Sequence, residues 1–193
     1  IFIAGAGDCR CVLARKRADG GFDALDLSVD HNFENASERE RVLAAGGELT
    51  VSKDPKVDGY FEPARVYHSL ETPWLGPGLA MSRSIGDFDA SEVRVHTLAP
   101  EDEFLILASD GVWEFIESAE AVEIVGSILK KGWSAEAACK HLIARAAVEW
   151  MQEEGDYRDD ITCIIVYLSC LDEMRSEVWR DYGIEDEPVD APR

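Results

Sequence analysis

The chain has 193 residues, 46% of them hydrophobic, and carries 39 acidic against 19 basic side chains for a net charge of −20. That apolar content is enough for one domain of ordinary size with a real core. The charge argues against a surface that docks on nucleic-acid phosphate or anionic lipid.

No apolar run approaches the ~18 residues of a membrane helix, and no secretory signal is visible. The five cysteines (Cys9, Cys11, Cys139, Cys163, Cys170) are odd in number, form no C-x-x-C pair and have no zinc-type spacing with histidine. Thiols in apolar stretches behave as small hydrophobes. A reducing compartment, cytoplasmic or nuclear, is therefore the expectation. Ile1-Phe2-Ile3-Ala4 lacks an initiator Met and looks like the middle of a strand, so the chain is expected to be a fragment or a processed product.

In chain order, Ile1 to Arg15 alternates and is β-rich, with a turn signal at Gly5-Ala6-Gly7-Asp8. This predicts two strands joined by a tight hairpin turn, the second over Cys9 to Ala14. A further turn at Ala18-Asp19-Gly20-Gly21 leads to a strand over Phe22 to Val29. Asn35-Ala36-Ser37-Glu38 has capping-box spacing, which predicts a short helix through Ala45 that stops at Gly46-Gly47.

Residues 50 to 78 hold four prolines among several glycines and predict an irregular surface excursion. Phe104 to Ser109 predicts a buried strand. Helices are predicted from Ser118 to about Lys131 and, capped by Ser134, to about Glu153. The second carries an apolar stripe of Cys139, Leu142, Ile143, Ala146 and Trp150. Ile161 to Leu168 predicts another buried strand. Residues 171–193 form an acidic tail with room for a short helix around Met174 to Tyr182.

Two aspartates stand at the boundaries of these buried strands: Asp110 after Phe104–Ser109, and Asp159 before Ile161–Leu168. Each is a turn or loop acid on its local sequence. Brought together, two rigidly held carboxylates make a site for hard divalent cations, which prefer oxygen ligands. The Gly5–Asp8 turn is not a dinucleotide loop, because the third glycine and the following helix are missing. In Gly78 to Phe88 the local reading is an Arg83–Asp87 ion pair or a helical turn. The four histidines have no metal spacing.

Six segments in order then resemble the metal-dependent serine/threonine phosphatases of type 2C, the PPM family. They are Ala6-Gly7-Asp8-Cys9-Arg10, Leu27-Ser28-Val29-Asp30-His31, Arg41-Val42-Leu43-Ala44-Ala45-Gly46-Gly47, Gly78 to Phe88, Phe104 to Trp113, and Asp159-Asp160-Ile161-Thr162. The resemblance implies an α+β fold: a central two-sheet antiparallel β-sandwich flanked by α-helices, here incomplete at the N-terminus. It implies that residues 1–170 are the C-terminal two-thirds of a catalytic domain, with 48–78 a flap-like excursion concerned with substrate choice. It also implies a centre of two or three Mg²⁺ or Mn²⁺ ions with Asp110 and Asp159 as ligands. Asp8, and with less weight Glu114, would serve a third ion; Asp160 takes a neighbouring position.

The implied activity is hydrolysis of phosphoserine and phosphothreonine in proteins by a water that the ions acidify. Phosphoproteins are then the expected partners and a monomer the expected state. The family's Asp-Gly-His-Gly-Gly segment, whose aspartate bridges the ions, and its phosphate-gripping arginine are not in residues 1–193. The chain alone is therefore expected to be inactive. The connection Asp89-Ala90-Ser91-Glu92 is also shorter than is usual in the family. A pseudo-phosphatase or regulatory module with the same fold is the alternative, and an unrelated acidic interaction domain is a third reading.

Overall fold

The alternation in Cys11-Val12-Leu13-Ala14 sets the layering of the molecule. Successive strand residues point to opposite faces, and here all four are buried, so both faces of the strand are covered. The computed structural model describes residues 1–50, 64–67, 70–71, 78–84 and 92–168.

The strands are β1 (Phe2–Gly5), β2 (Arg10–Lys16), β3 (Phe22–Asp26), β4 (Glu48–Leu49), β5 (Val66–Tyr67), β6 (Glu92–Val95), β7 (Asp102–Ala108) and β8 (Cys163–Tyr167). The helices are α1 (Ala36–Ala44), α2 (Asp110–Trp113), α3 (Ser118–Leu129) and α4 (Ala135–Glu153). A four-stranded antiparallel sheet runs in the order β3-β2-β7-β8, and two-stranded sheets are formed by β1 with β6 and by β4 with β5.

On one face of the large sheet, Val12, Ala14, Phe104, Ile106, Ala108 and Ile165 pack with Val122 and Val125 of α3 and Leu142 and Ala146 of α4. On the other, Cys11, Leu13, Leu105 and Leu168 pack with Ile1, just before β1, and Ile3 of β1. The α+β sandwich with helices outside is therefore as expected. The long apolar runs are strands buried on two sides rather than helices. The outward side of β1–β6 leaves Phe2, Val93 and Val95 exposed, and Leu107 opposite Ile164 is exposed on the large sheet.

Three local expectations need correction. Gly5–Asp8 is not a hairpin turn: β1 pairs with β6 while β2 pairs with β3 and β7, so the segment crosses from one sheet to the other. Local glycine content signals a bend but cannot say in which sheet the strands lie. Asn35 does cap α1, accepting from the Ser37 amide at 3.1 Å. Glu38, however, is buried and pairs with Arg83 and Arg41 instead of closing a capping box. Residues 48–49 and 66–67 form a short β pair within the predicted irregular excursion. Residues 51–63, 89–91 and the acidic tail lie outside the described residues, as do Asp87 and Cys170. Cys9, Cys11, Cys139 and Cys163 are free thiols, and no described helix is long and apolar enough to cross a membrane.

The far end of β7 is held by one carboxylate. Asp102 lies near the periphery, yet its side chain is fully covered, with Arg15 Nε at 2.7 Å, His96 Nε2 at 3.1 Å and the Ala99 amide at 2.9 Å. Burial pushes the Asp102 carboxyl up, but these hydrogen bonds outweigh it and hold the group at about 2, against 3.8 in an open chain. A depressed carboxylate stabilises the fold above the unfolded value and stops doing so as pH falls through the folded one. The expected contribution is about 2 kcal/mol, lost between about pH 4 and pH 2. Asp102→Asn should be less stable than the parent at pH 7 and lose less on acidification across that window. Urea midpoints at a series of pH values check this; parallel acid limbs would refute it.

Candidate metal centre

The register of the large sheet brings three aspartates to one end. Arg10 lies opposite Ala108, and Ala108 opposite Cys163. Beyond that rung, Asp8 precedes β2, Asp110 follows β7, and Asp159 precedes β8.

The β7–β8 ladder continues one step past the strands. The Ser109 amide donates to the Thr162 carbonyl at 3.1 Å, and the Thr162 amide returns a 3.1 Å bond to Ser109 Oγ. The same hydroxyl donates to the Asp160 carbonyl at 3.1 Å. Ser109, in extended conformation, then starts the single turn of α2, so Asp110 opens a helical turn and not the simple turn that Asp-Gly signalled. Gly111 makes this juncture possible. A Cβ there would overlap the Asp160 carbonyl oxygen and stand 3.1 Å from Ile161 Cα.

Two indoles fix the turn from below. Trp113 Nε1 donates to the Ala108 carbonyl and Trp150 Nε1 of α4 to the Gly111 carbonyl, each at 2.8 Å and each buried. Trp150 was legible only as part of an apolar stripe; the indole donor aimed at Gly111 is a second role with no period to reveal it. Trp150→Phe would leave a buried carbonyl without its donor, a cost of about 1–3 kcal/mol. A matching drop in chemical-denaturation stability is expected, and a variant as stable as the parent would refute it.

On the third side, Gly7 adopts φ +96°, a left-handed conformation that glycine tolerates without strain. Its carbonyl accepts from the His31 amide at 2.9 Å, which fixes the peptide leading into Asp8.

The electrostatics agree with this convergence. Burial pushes the Asp8 carboxyl up, and the charge of Asp110 adds to it, with smaller pushes from Asp30 and Asp159. Asp110 is likewise raised by burial and then by Asp159 and Asp30. Glu114 is open to solvent on one side; partial desolvation raises it first, then Glu34, Asp110 and Asp8. Asp159 is exposed, and its Oδ1 accepts from the Asp160 amide at 2.7 Å.

Among the described residues none of Asp8, Asp110, Asp159 and Glu114 has a Lys, Arg or His ion partner. The guanidinium close in sequence is committed elsewhere. Arg10 grips Asp30 at 3.0 and 2.5 Å, donates to Ser118 Oγ at 3.1 Å and lies 5.2 Å over the Trp113 ring. A group of oxygen donors in which Asp8, Asp110 and Glu114 are raised by burial and neighbouring acids, and which lacks cationic partners among the described residues, fits hard divalent cations. Among the described residues no three metal-ligating groups converge tightly enough to hold an ion by themselves. Asp30 lies in the Leu27–His31 segment, and its proximity to Asp8 and Asp110 depends on the crossover between sheets, which no local pattern carries.

The protein phosphatase 2C family model matches residues 1–153. "Probable protein phosphatase 2C 73" of Arabidopsis thaliana is 32% identical over 178 residues, which take in 87% of this chain and 44% of that protein. "Protein phosphatase 2C homolog 2" of Schizosaccharomyces pombe is 34% identical over 185 residues, 87% of this chain and 43% of that protein. In fold, the serine-threonine phosphatase 2C crystal structure from Toxoplasma gondii superposes with a TM-score of 0.68 at 22% identity, covering 86% of this chain and 54% of that one. The chain spans less than half the length of these two curated relatives. With residues 1–153 matched by the family model, this chain belongs to the protein phosphatase 2C family.

Proposed function

We propose that the whole protein hydrolyses phosphoserine and phosphothreonine in protein substrates at a centre of two or three Mg²⁺ or Mn²⁺ ions. The observation that carries this is the convergence of Asp8, Asp110 and Asp159 at one sheet end without cationic partners among the described residues. Asp110 and Asp159 hold the principal ions, while Asp8 and Glu114 serve a third, weaker one. Bound there, such ions lower the pKa of water and neutralise phosphoryl oxygens.

The residues of this chain supply placement. Gly111 permits the close approach of the Asp110 turn to the Asp160 backbone. The Ser109 and Thr162 bonds keep that approach fixed. Arg10 is engaged by Asp30, which keeps that guanidinium off the candidate ligands. No Cys or Ser nucleophile is needed. The bridging aspartate and the phosphate-gripping arginine that the family resemblance implies are not among residues 1–193.

The whole protein is expected to hydrolyse a phosphothreonine peptide with Mn²⁺ and to lose that activity on chelation. The 193-residue chain alone is expected to give no turnover. A metal-independent rate in the whole protein would overturn the reading, and absence of any hydrolysis with Mn²⁺ would favour the pseudo-phosphatase alternative.

A further inference from the structure

A carboxylate in the first turn of a helix normally faces solvent and the orphan amides of the helix end. Glu38 does neither. Its side chain is 5% exposed and accepts Ser82 Oγ at 2.6 Å, Arg83 Nη2 and Nε at 2.6 and 2.9 Å, and Arg41 Nη2 at 2.9 Å. Arg41 Nη2 also donates to the Ser82 carbonyl at 2.7 Å. Two arginines and a hydroxyl thus converge on one buried carboxylate, holding it far below the usual carboxylate range, chiefly through Arg83.

The network ends one peptide from the candidate metal centre. The Ser82 amide donates to the His31 carbonyl at 2.7 Å, and the His31 amide donates to the Gly7 carbonyl at 2.9 Å. Met81 bridges to Asn32, and a Cβ at Gly7 would stand 3.1 Å from Met81 Sδ. The residue after Gly7 is Asp8. The sheet end therefore meets the 81–83 segment through Gly7, and that segment is pinned to α1 by Glu38.

We propose that Glu38 is a positioning residue for the metal centre: by clamping Ser82 and Arg83 to α1 it holds the 81–83 segment against Gly7 and so fixes the place of Asp8. The proposal rests on the reading of Asp8 as a metal ligand. A buried charge with three partners defines one arrangement of the segments it joins, because any slip leaves it unpaired. Ligand orientation of this kind is what outer partners of metal sites supply, and their loss typically weakens metal binding 10–100-fold.

The test is Mn²⁺ binding by the whole protein, followed by water-proton relaxation and calorimetry, for the parent, Asp8→Asn, Glu38→Gln and Ser82→Ala. Circular dichroism scores the folded fraction. Glu38→Gln is expected to weaken the weakest Mn²⁺ site about tenfold or more at full folded population, in the same step of the isotherm that Asp8→Asn removes. Ser82→Ala, which keeps both ion pairs, is expected to weaken that step to a lesser degree and stands in should Glu38→Gln not fold. An isotherm altered by Asp8→Asn but unchanged in the folded Glu38→Gln or Ser82→Ala protein overturns the positioning role alone. An isotherm unchanged by Asp8→Asn overturns the ligand reading and the proposal with it.

Discussion

In the whole protein, Asp110→Asn is expected to cut Mn²⁺-dependent hydrolysis of a phosphoserine peptide by ~10³-fold or more, about 4 kcal/mol of transition-state stabilisation. It is also expected to raise the thermal transition of the metal-free protein. Both effects have one cause. The Asp110 carboxylate is half-buried beside Asp159 and Asp30, so burial first and those charges second penalise its ionised form. Cations bound there would reverse that penalty; without them the fold carries it at neutral pH. An amide of the same shape removes the charge and keeps the Oδ1 acceptor that meets the Gly111 amide at 2.9 Å. Each kcal/mol recovered raises the transition of a domain this size by about 2–4 °C.

Asp159→Asn separates the two effects. Asp159 is exposed, so its loss is expected to abolish hydrolysis with little change in the metal-free transition. Calorimetry in chelator together with the phosphopeptide assay checks both variants. Undiminished hydrolysis by Asp110→Asn would remove it from the metal centre.

What could be foreseen in the sequence follows from how local the determining physics is. The strand at Phe104 and the helix capped by Ser134 are announced by runs and caps within a few residues, and both form where expected. The aspartates that end the buried strands are equally visible, because a charge at the edge of an apolar run marks where a strand leaves the core. Pairing of strands is not local. Gly5–Asp8 has the composition of a hairpin, yet it joins strands of different sheets, since Phe2 and Ile3 pair with Val95 and Arg94 some ninety residues on. The partner of Glu38 is hidden for the same reason. Capping spacing speaks to residues within one turn, whereas Arg83 reaches Glu38 across 45 positions. The ordered family motifs supply the long-range arrangement that periodicity lacks, and they do so for Asp8, Asp110 and Asp159 together. They do not supply Trp150 Nε1 on the Gly111 carbonyl, because that bond uses a side chain whose helical stripe already accounts for its burial.

The juncture at Gly111 is where a single methyl group is expected to do most damage. By helix propensity alone, Gly111→Ala in α2 would gain up to about 1 kcal/mol. The added Cβ would overlap the Asp160 carbonyl and press on Ile161 Cα, which are backbone atoms and cannot rotate aside. Overpacking of this kind costs about 1–3 kcal/mol and occasionally more. Here relief requires moving the 159–161 loop away from α2. That movement breaks the Ser109 Oγ bond to the Asp160 carbonyl and the return bond from Thr162, each worth about 1 kcal/mol. The steric term therefore wins, and a net loss of about 3 kcal/mol is expected. Because the loop carries Asp159, the same movement separates it from Asp110, and Mn²⁺ affinity should fall at least about tenfold. Ser109→Ala isolates the hydrogen bonds without the overlap, and at a half-exposed position should cost only about 1 kcal/mol. Urea unfolding and Mn²⁺ titration of the two variants order them: if Gly111→Ala is no less stable than Ser109→Ala and binds Mn²⁺ like the parent, the loop and α2 are not held by this contact.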